Sequence, residues 1–136
     1  MSNLIKFKVI TPNKSFYEGD IKELITETVE GERAILPLHS PLISMLRPAI
    51  TTIVEGNGEE KKFFSSSGIL KVNKGEVTML CDAADWPEDI DRARAGEAKE
   101  RAEDRLNKKE GIDEKRAKLA LSRAVKRIES LNINNR

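Results

Sequence analysis

The feature that most limits what this chain can fold into is a break in residue usage near position 86. All six aromatic residues (Phe7, Phe16, Tyr17, Phe63, Phe64 and Trp86) lie at or before it, and all five prolines lie at or before Pro87. Beyond Pro87, Ala, Lys, Arg and Glu dominate. Aromatic and β-branched residues fit strands, whereas a long stretch of Ala and straight-chain residues fits helices. Charge divides at the same place: residues 1–86 carry 10 basic and 12 acidic groups, and residues 87–136 carry 14 and 11. The break predicts a β unit over 1–86 and a helical unit over 87–136.

Length and charge then exclude several classes. A chain of 136 residues forms one domain or one domain with an appendage. Its net charge of +1 argues against a nucleic-acid binder held by bulk electrostatics. One Cys and one His exclude a disulfide framework and an ordinary Cys/His metal cage. No uninterrupted apolar run is long enough to span a bilayer. The most apolar stretch, Ala34 to Ile50, is broken by Pro37, His39, Pro41, Arg47 and Pro48. The N-terminus lacks the apolar core of a secretory signal and the Arg-rich character of a transit peptide, so a bacterial-type cytoplasm is the expected compartment.

In the first unit Ile5, Phe7 and Val9 alternate with Lys6 and Lys8, and Val77, Met79 and Cys81 alternate with Thr78, Leu80 and Asp82. That period of two is the pattern of half-buried strands. Further β-prone runs are Ile21–Val29, Glu32–Leu36, Ile50–Val54, Lys61–Ser65 and Gly68–Val72. Turn residues separate them at Pro12-Asn13, Gly19-Asp20, Asn57-Gly58 and Asn73-Lys74-Gly75. Many short strands with frequent turns predict a β-sandwich or barrel.

The second unit reads as two helices. Asp85 to Glu88 has capping-box spacing, with Pro87 tolerated in the first turn. Helix one is expected from about Pro87 to Leu106, with a thin apolar stripe of Ala95, Ala98, Ala102 and Leu106. Gly111 fits a break and Asp113 a second cap. Helix two is expected from about Glu114 to Leu131, with Ala117, Leu121, Ala124, Ile128 and Leu131 on one seam. An alanine stripe buries little area at about 25 cal/mol per Å². The hairpin is therefore expected to be marginal and able to open.

Chemistry-bearing residues are few. No P-loop, GxSxG elbow or GxGxxG run is present. Ser40 follows His39, but sequence neighbours seldom face each other productively and no third group accompanies them. A surface or satisfied histidine is the simpler reading. Cys81, in an alternating strand, reads as a small buried hydrophobe. The segment Leu36-Pro-Leu-His-Ser-Pro-Leu-Ile43 is either an ordinary core crossover or an apolar surface for a partner. Asp91 and Arg94 share a helix face, and Arg101 lies two turns beyond Arg94. Arg123 and Arg127 share a face of the second helix. In a folded hairpin these basic faces can converge on a polyanion, because guanidinium forks suit phosphate. The competing reading is a solvated charged face.

At this point the chain resembles the epsilon subunit of bacterial F-type ATP synthases. The resemblance rests on FKVITPNKSFYEGDI, GERAILPLHSPLI, FFSSSGILKV, IDRARAGEAKERAEDRL and IDEKRAKLALSRAVKRI, in this order. It implies an N-terminal β-sandwich followed by an antiparallel helix–loop–helix hairpin. It implies that the sandwich binds the gamma subunit and the membrane rotor ring, so the chain turns in the central stalk. It also implies that the extended hairpin inhibits ATP hydrolysis. There its basic residues, such as Lys115, Arg116, Lys118 and Lys126, approach the catalytic beta and alpha subunits. The place implied is peripheral to the cell membrane on its cytoplasmic side, without direct membrane insertion or nucleic acid. No catalytic residue and no protein-bound metal or Mg are implied.

Some members hold ATP in the folded hairpin as a regulatory ligand that is not consumed, through a motif of the form I/L-D-x-x-R-A. Ile90-Asp91-Arg92-Ala93-Arg94-Ala95 fits it. The resemblance implies that Ile90, Asp91, Arg94 and Ala95 recognise the adenine end. It implies that Arg101, Arg123 and Arg127 complete the site near sugar and phosphates. Asp85 matches a ligand position usually held by Glu, which is one methylene longer. Two other readings make different predictions. A free-standing nucleotide sensor purifies without gamma, and a small hydrolase built on His39 and Ser40 turns over generic esters.

Overall fold

The structure, a computed structural model, describes residues 3–108 and 114–132. Nine strands precede the helices: β1 (Ile5–Ile10), β2 (Ser15–Thr28), β3 (Gly31–Ile35), β4 (Leu42–Leu46), β5 (Ala49–Glu55), β6 (Glu60–Ser65), β7 (Gly68–Asn73), β8 (Glu76–Cys81) and β9 (Ala84–Asp85). A 3₁₀ turn (Pro87–Asp89) leads to α1 (Arg92–Lys108) and α2 (Glu114–Asn132). This is the β-sandwich with a C-terminal helical hairpin that the sequence predicts. Gly111 and Asp113 lie outside the described residues.

The long strand β2 joins the sandwich together. Its first half pairs antiparallel with β1, from Ile21 opposite Ile5 to Tyr17 opposite Val9. Its second half pairs with β3 along one edge and β5 along the other, with Leu24 opposite both Ile35 and Ile53. A register shift between Ile21 and Glu23 accompanies the pairing with β5. β1 also pairs in parallel with β8, which continues through β7 to β4. β6 and the short β9 follow β5. The alternating residues Ile5, Phe7, Val9, Val77, Met79 and Cys81 all enter one buried core with Leu24, Ile53, Phe63 and Leu70.

Three expectations need correction. Gly19-Asp20 is not a turn: Gly19 pairs with Phe7 and Asp20 with Lys6 inside β2. The glycine serves a packing need, because a Cβ there would lie 2.9 Å from Tyr17 Oη. The strand β4 was not expected. Its outward residues are apolar, with Ile43 75% and Met45 63% exposed, while Ser44 faces inward. Polarity therefore gave no alternation to read. Helix one begins at Arg92 rather than Pro87, and Asp85 does not cap it. Asp85 belongs to β9, opposite Phe64. The 3₁₀ turn closes by Asp89 N–H to the Trp86 carbonyl, and Ile90 is extended at ψ 126°, which separates it from α1.

The hairpin lies folded against the sandwich. α1 packs on α2, and α2 packs on β5, β6 and the 3₁₀ turn. Ala95, Ala102, Ala117 and Ala124 are buried. Each buried carbon contributes about 0.8 kcal/mol, so these four methyl groups add only modestly, and Leu121, Val125 and Ile128 of α2 are half-buried. Where the two units join, Trp86 stacks on Phe16 with ring centroids 4.9 Å apart and meets Phe63 edge-on at 5.7 Å. Among the described residues, no helix is long and apolar enough to cross a membrane.

Candidate functional site

The folded hairpin and the last strand enclose an open cleft of about 450 Å³, within the size range of small-molecule sites. Its floor begins at Asp85 of β9. Asp89 and Ile90 follow from the connecting turn. Asp91, Arg94, Ala95, Glu97, Ala98 and Arg101 come from the start and first face of α1, and Arg127 closes it from α2. Positions 91, 94, 98 and 101 step by three and four, so helical geometry alone aligns them.

Asp91 starts this face by capping α1. Its Oδ1 accepts the backbone N–H of Arg94 at 3.1 Å, and its carbonyl accepts that of Ala95. A carboxylate at this place satisfies an otherwise unpaired donor and complements the positive end of the helix dipole. Arg127 Nε donates to Asp85 Oδ2 at 3.3 Å, and its guanidinium carbon sits 4.5 Å from the centroid of the Phe64 ring. Asp91, Arg94 and Arg101 are exposed, Ile90 is half-buried and Ala95 is buried.

The cleft thus brings together Asp85, Ile90, Asp91, Arg94, Ala95, Arg101 and Arg127. Arg123 stands one turn before Arg127 on α2 and is half-buried, and it is not among the residues that line the cleft. Three lining residues went unsuspected in the sequence as site residues: Asp89, Glu97 and Ala98. Glu97 falls three residues after Arg94 and four before Arg101, a spacing that puts it on their face. Phe64 carries no local signal, because it reaches Arg127 through strand pairing.

The lining is mixed in charge: Asp85, Asp89, Asp91 and Glu97 face Arg94, Arg101 and Arg127. A simple polyanion gains little from such a wall. A ligand with amine donors at one end and anionic groups at the other suits it better, since carboxylates accept from amines and guanidinium forks bind phosphate oxygens.

Other candidates resolve differently. His39 Nδ1 lies 2.6 Å from the Ser40 carbonyl oxygen, so its partner is backbone rather than the hydroxyl. Cys81 is 4% exposed, and burial above all, with Asp82 second, pushes its thiol up to about 12. A thiol so raised is a poor nucleophile. The Leu36–Ile43 segment does present apolar surface. Leu38 is 82% exposed, and Leu36, Ile43, Met45 and Ile69 are also uncovered. Met45 and Ile69 are cross-strand neighbours of β4 and β7, so the patch is continuous there. Contiguous exposed apolar surface marks an interaction face.

Comparison with known proteins decides the family. The family described as ATP synthase, Delta/Epsilon chain, beta-sandwich domain matches residues 4–87. That described as ATP synthase, Delta/Epsilon chain, long alpha-helix domain matches residues 88–131. The ATP synthase epsilon chain of Clostridium novyi (strain NT) is 57% identical over 129 residues, covering 95% of this chain and 98% of that protein. The chain belongs to the epsilon-subunit family of bacterial F-type ATP synthases. The epsilon chain of Clostridium kluyveri is 49% identical over 131 residues, covering 96% of this chain and 99% of the relative. In fold, this epsilon-family chain is similar to one in the Euglena gracilis mitochondrial ATP synthase OSCP/F1/c-ring structure. The TM-score is 0.76 at 21% identity, over 100% of this chain and 84% of the other. A chain of the Tetrahymena thermophila central stalk and c-ring gives 0.59 at 15% identity, over 93% and 96%.

Proposed function

We propose that this central-stalk epsilon chain is a non-catalytic rotor subunit that couples ion flow to ATP synthesis and carries its own reversible brake. The sandwich docks on the gamma subunit and the rotor ring, and the exposed patch of Leu36, Leu38, Ile43, Met45 and Ile69 supplies the apolar contact. The assembly holds it peripherally at the cytoplasmic face of the cell membrane. In the extended state α2 reaches the catalytic beta and alpha subunits, where Lys115, Arg116, Lys118 and Lys126 meet acidic segments and hydrolysis stops.

ATP is the regulatory ligand of the folded state and is not consumed. The observation that carries this reading is the cleft itself, whose arginines come from both helices: Arg94 and Arg101 from α1, Arg127 from α2. A ligand that touches both helices binds only when they lie together. It therefore stabilises that state by RT ln(1 + [L]/Kd), about 2.7 kcal/mol at a hundredfold excess. The donor set fits an adenine nucleotide. Ile90, Asp91 and Ala95 offer an apolar wall and a carboxylate to the base, with Arg94 beside them. Arg101 of α1 and Arg127 of α2 serve sugar and phosphates, with Arg123 one turn before Arg127 on the same face of α2. When ATP falls, the hairpin is released to extend.

Calorimetric titration of the full chain with ATP tests the site. Arg94→Ala and Arg123→Ala each weaken binding at least several-fold while the sandwich stays intact. Wild-type affinity in both variants removes these residues from the site. Co-purification with gamma separates a stalk subunit from a free-standing sensor.

A further inference from the structure

Asp85 and Phe64 are cross-strand partners on β9 and β6. Together they hold one side chain of α2. The Arg127 guanidinium is bonded by Asp85 through Nε and lies over the Phe64 ring. Phe64 is fully buried, whereas the Asp85 and Arg127 side chains remain 35% and 30% exposed. The contact spans 42 residues of sequence, so it ties the edge of the sandwich directly to the second helix. It sits where α2 comes close: Ala124 and Ser130 on either side are buried, and Ser130 Oγ donates back to the Arg127 carbonyl at 2.7 Å.

We propose that Asp85 is a positioning residue for Arg127, and that the pair is a latch docking α2 on the sandwich before any ligand reaches the cleft. The bond to Asp85 uses Nε, and the terminal nitrogens of a guanidinium carry further donors. The Asp85 carboxylate therefore acts on the cleft through Arg127. The Phe64 ring packs against the same group, as aromatic rings do against arginine. Two adjacent strands thus hold the guanidinium in place in the free protein. The latch stands without the nucleotide reading. Only its consequence, a pre-aimed arginine in the cleft, rests on that reading.

A double-mutant cycle on the full chain without nucleotide tests it, with amide hydrogen exchange as the readout. Asp85→Asn raises the opening of α2 by about fivefold, in line with a partly exposed ion pair, and Arg127→Gln raises it at least as much, since it also removes the Phe64 contact. The double variant Asp85→Asn/Arg127→Gln opens no further than Arg127→Gln, since without the arginine the residue at 85 has no partner left to lose. Amides of β1 and β8 keep their wild-type exchange throughout. Unchanged α2 exchange in the single variants, or effects that multiply in the double variant, overturns the latch. So does equal loss of protection in the sandwich, which assigns the pair to the sheet edge alone. Because ATP is absent from every arm, the outcome is read independently of whether the cleft binds it.

Discussion

The Asp91 carboxylate accepts the backbone N–H of Arg94, so the aspartate of the proposed nucleotide motif is also the cap of α1. One side chain thereby has a structural duty and a proposed ligand duty, and the two are separable. Asn caps helices about as well as Asp, whereas Ala does not. Asp91→Ala is expected to cost about 1 kcal/mol and fray the first turn of α1. Asp91→Asn is expected to keep the turn. If the carboxylate also receives the base, Asp91→Asn loses ATP affinity with α1 intact. Circular dichroism and calorimetry on the two variants check both parts.

The Tyr17 hydroxyl donates to Glu55 Oε2 at 2.6 Å, and Lys61 Nζ lies 3.2 Å from Glu55 Oε1. The tyrosine bond first, and Lys61 after it, hold the Glu55 carboxyl below its ordinary value of 4.5 against an opposing effect of burial. A lowered folded-state value means that the unfolded chain protonates first. This contribution is full above about pH 4.5 and is lost as pH falls below it. Burial, then the Glu55 bond, raises Tyr17 above its ordinary 10.0. Its contribution is full below about pH 10 and is lost as pH rises beyond. Tyr17→Phe is expected to cost about 1–2 kcal/mol near neutral pH and to flatten the acid limb of stability. Urea unfolding at neutral and acid pH measures both.

Two glycines predict opposite signs. A Cβ on Gly68 would stand 1.9 Å from the Leu80 carbonyl oxygen, a backbone atom held by the β7–β8 ladder. Gly68→Ala is expected to cost more than about 2 kcal/mol. A Cβ on Gly96, inside α1, meets nothing within 4 Å. Gly96→Ala is expected to stabilise α1 by about 0.5–1 kcal/mol through reduced chain entropy. Thermal unfolding gives the first sign, and hydrogen exchange of α1 the second.

What the sequence revealed depends on how local the signal is. The alternations at Ile5–Val9 and Val77–Cys81 mark strands whose inner faces are all apolar, and they fold as such. The helices follow from composition and from the alanine spacing. β4 escaped because Ile43 and Met45 point outward while Ser44 points inward, which inverts the usual pattern. Gly19 misled because a glycine needed for room beside Tyr17 looks the same as one needed for a turn. Asp85 looked like a helix cap for the same kind of reason: its real partners, Phe64 and Arg127, are brought in by long-range pairing. In the cleft, helical spacing alone puts Asp91, Arg94 and Arg101 on one face. That Arg127 faces them, and that Arg123 does not line the same wall, depends on how α2 is seated on β5 and β6.

The central claim is that the hairpin is a marginal element tilted by nucleotide. Among the described residues, the fully buried apolar side chains of the two helices are all alanines, so apolar burial holds the hairpin modestly, alongside the Arg127 contact. The most direct measurement is amide hydrogen exchange of the full chain across an ATP titration, comparing α1 and α2 with β1 and β8. The account predicts that the helices exchange faster than the sheet without ATP and slow progressively as it is added, while the sheet does not change. Helices as protected as the sheet at every nucleotide concentration would contradict it.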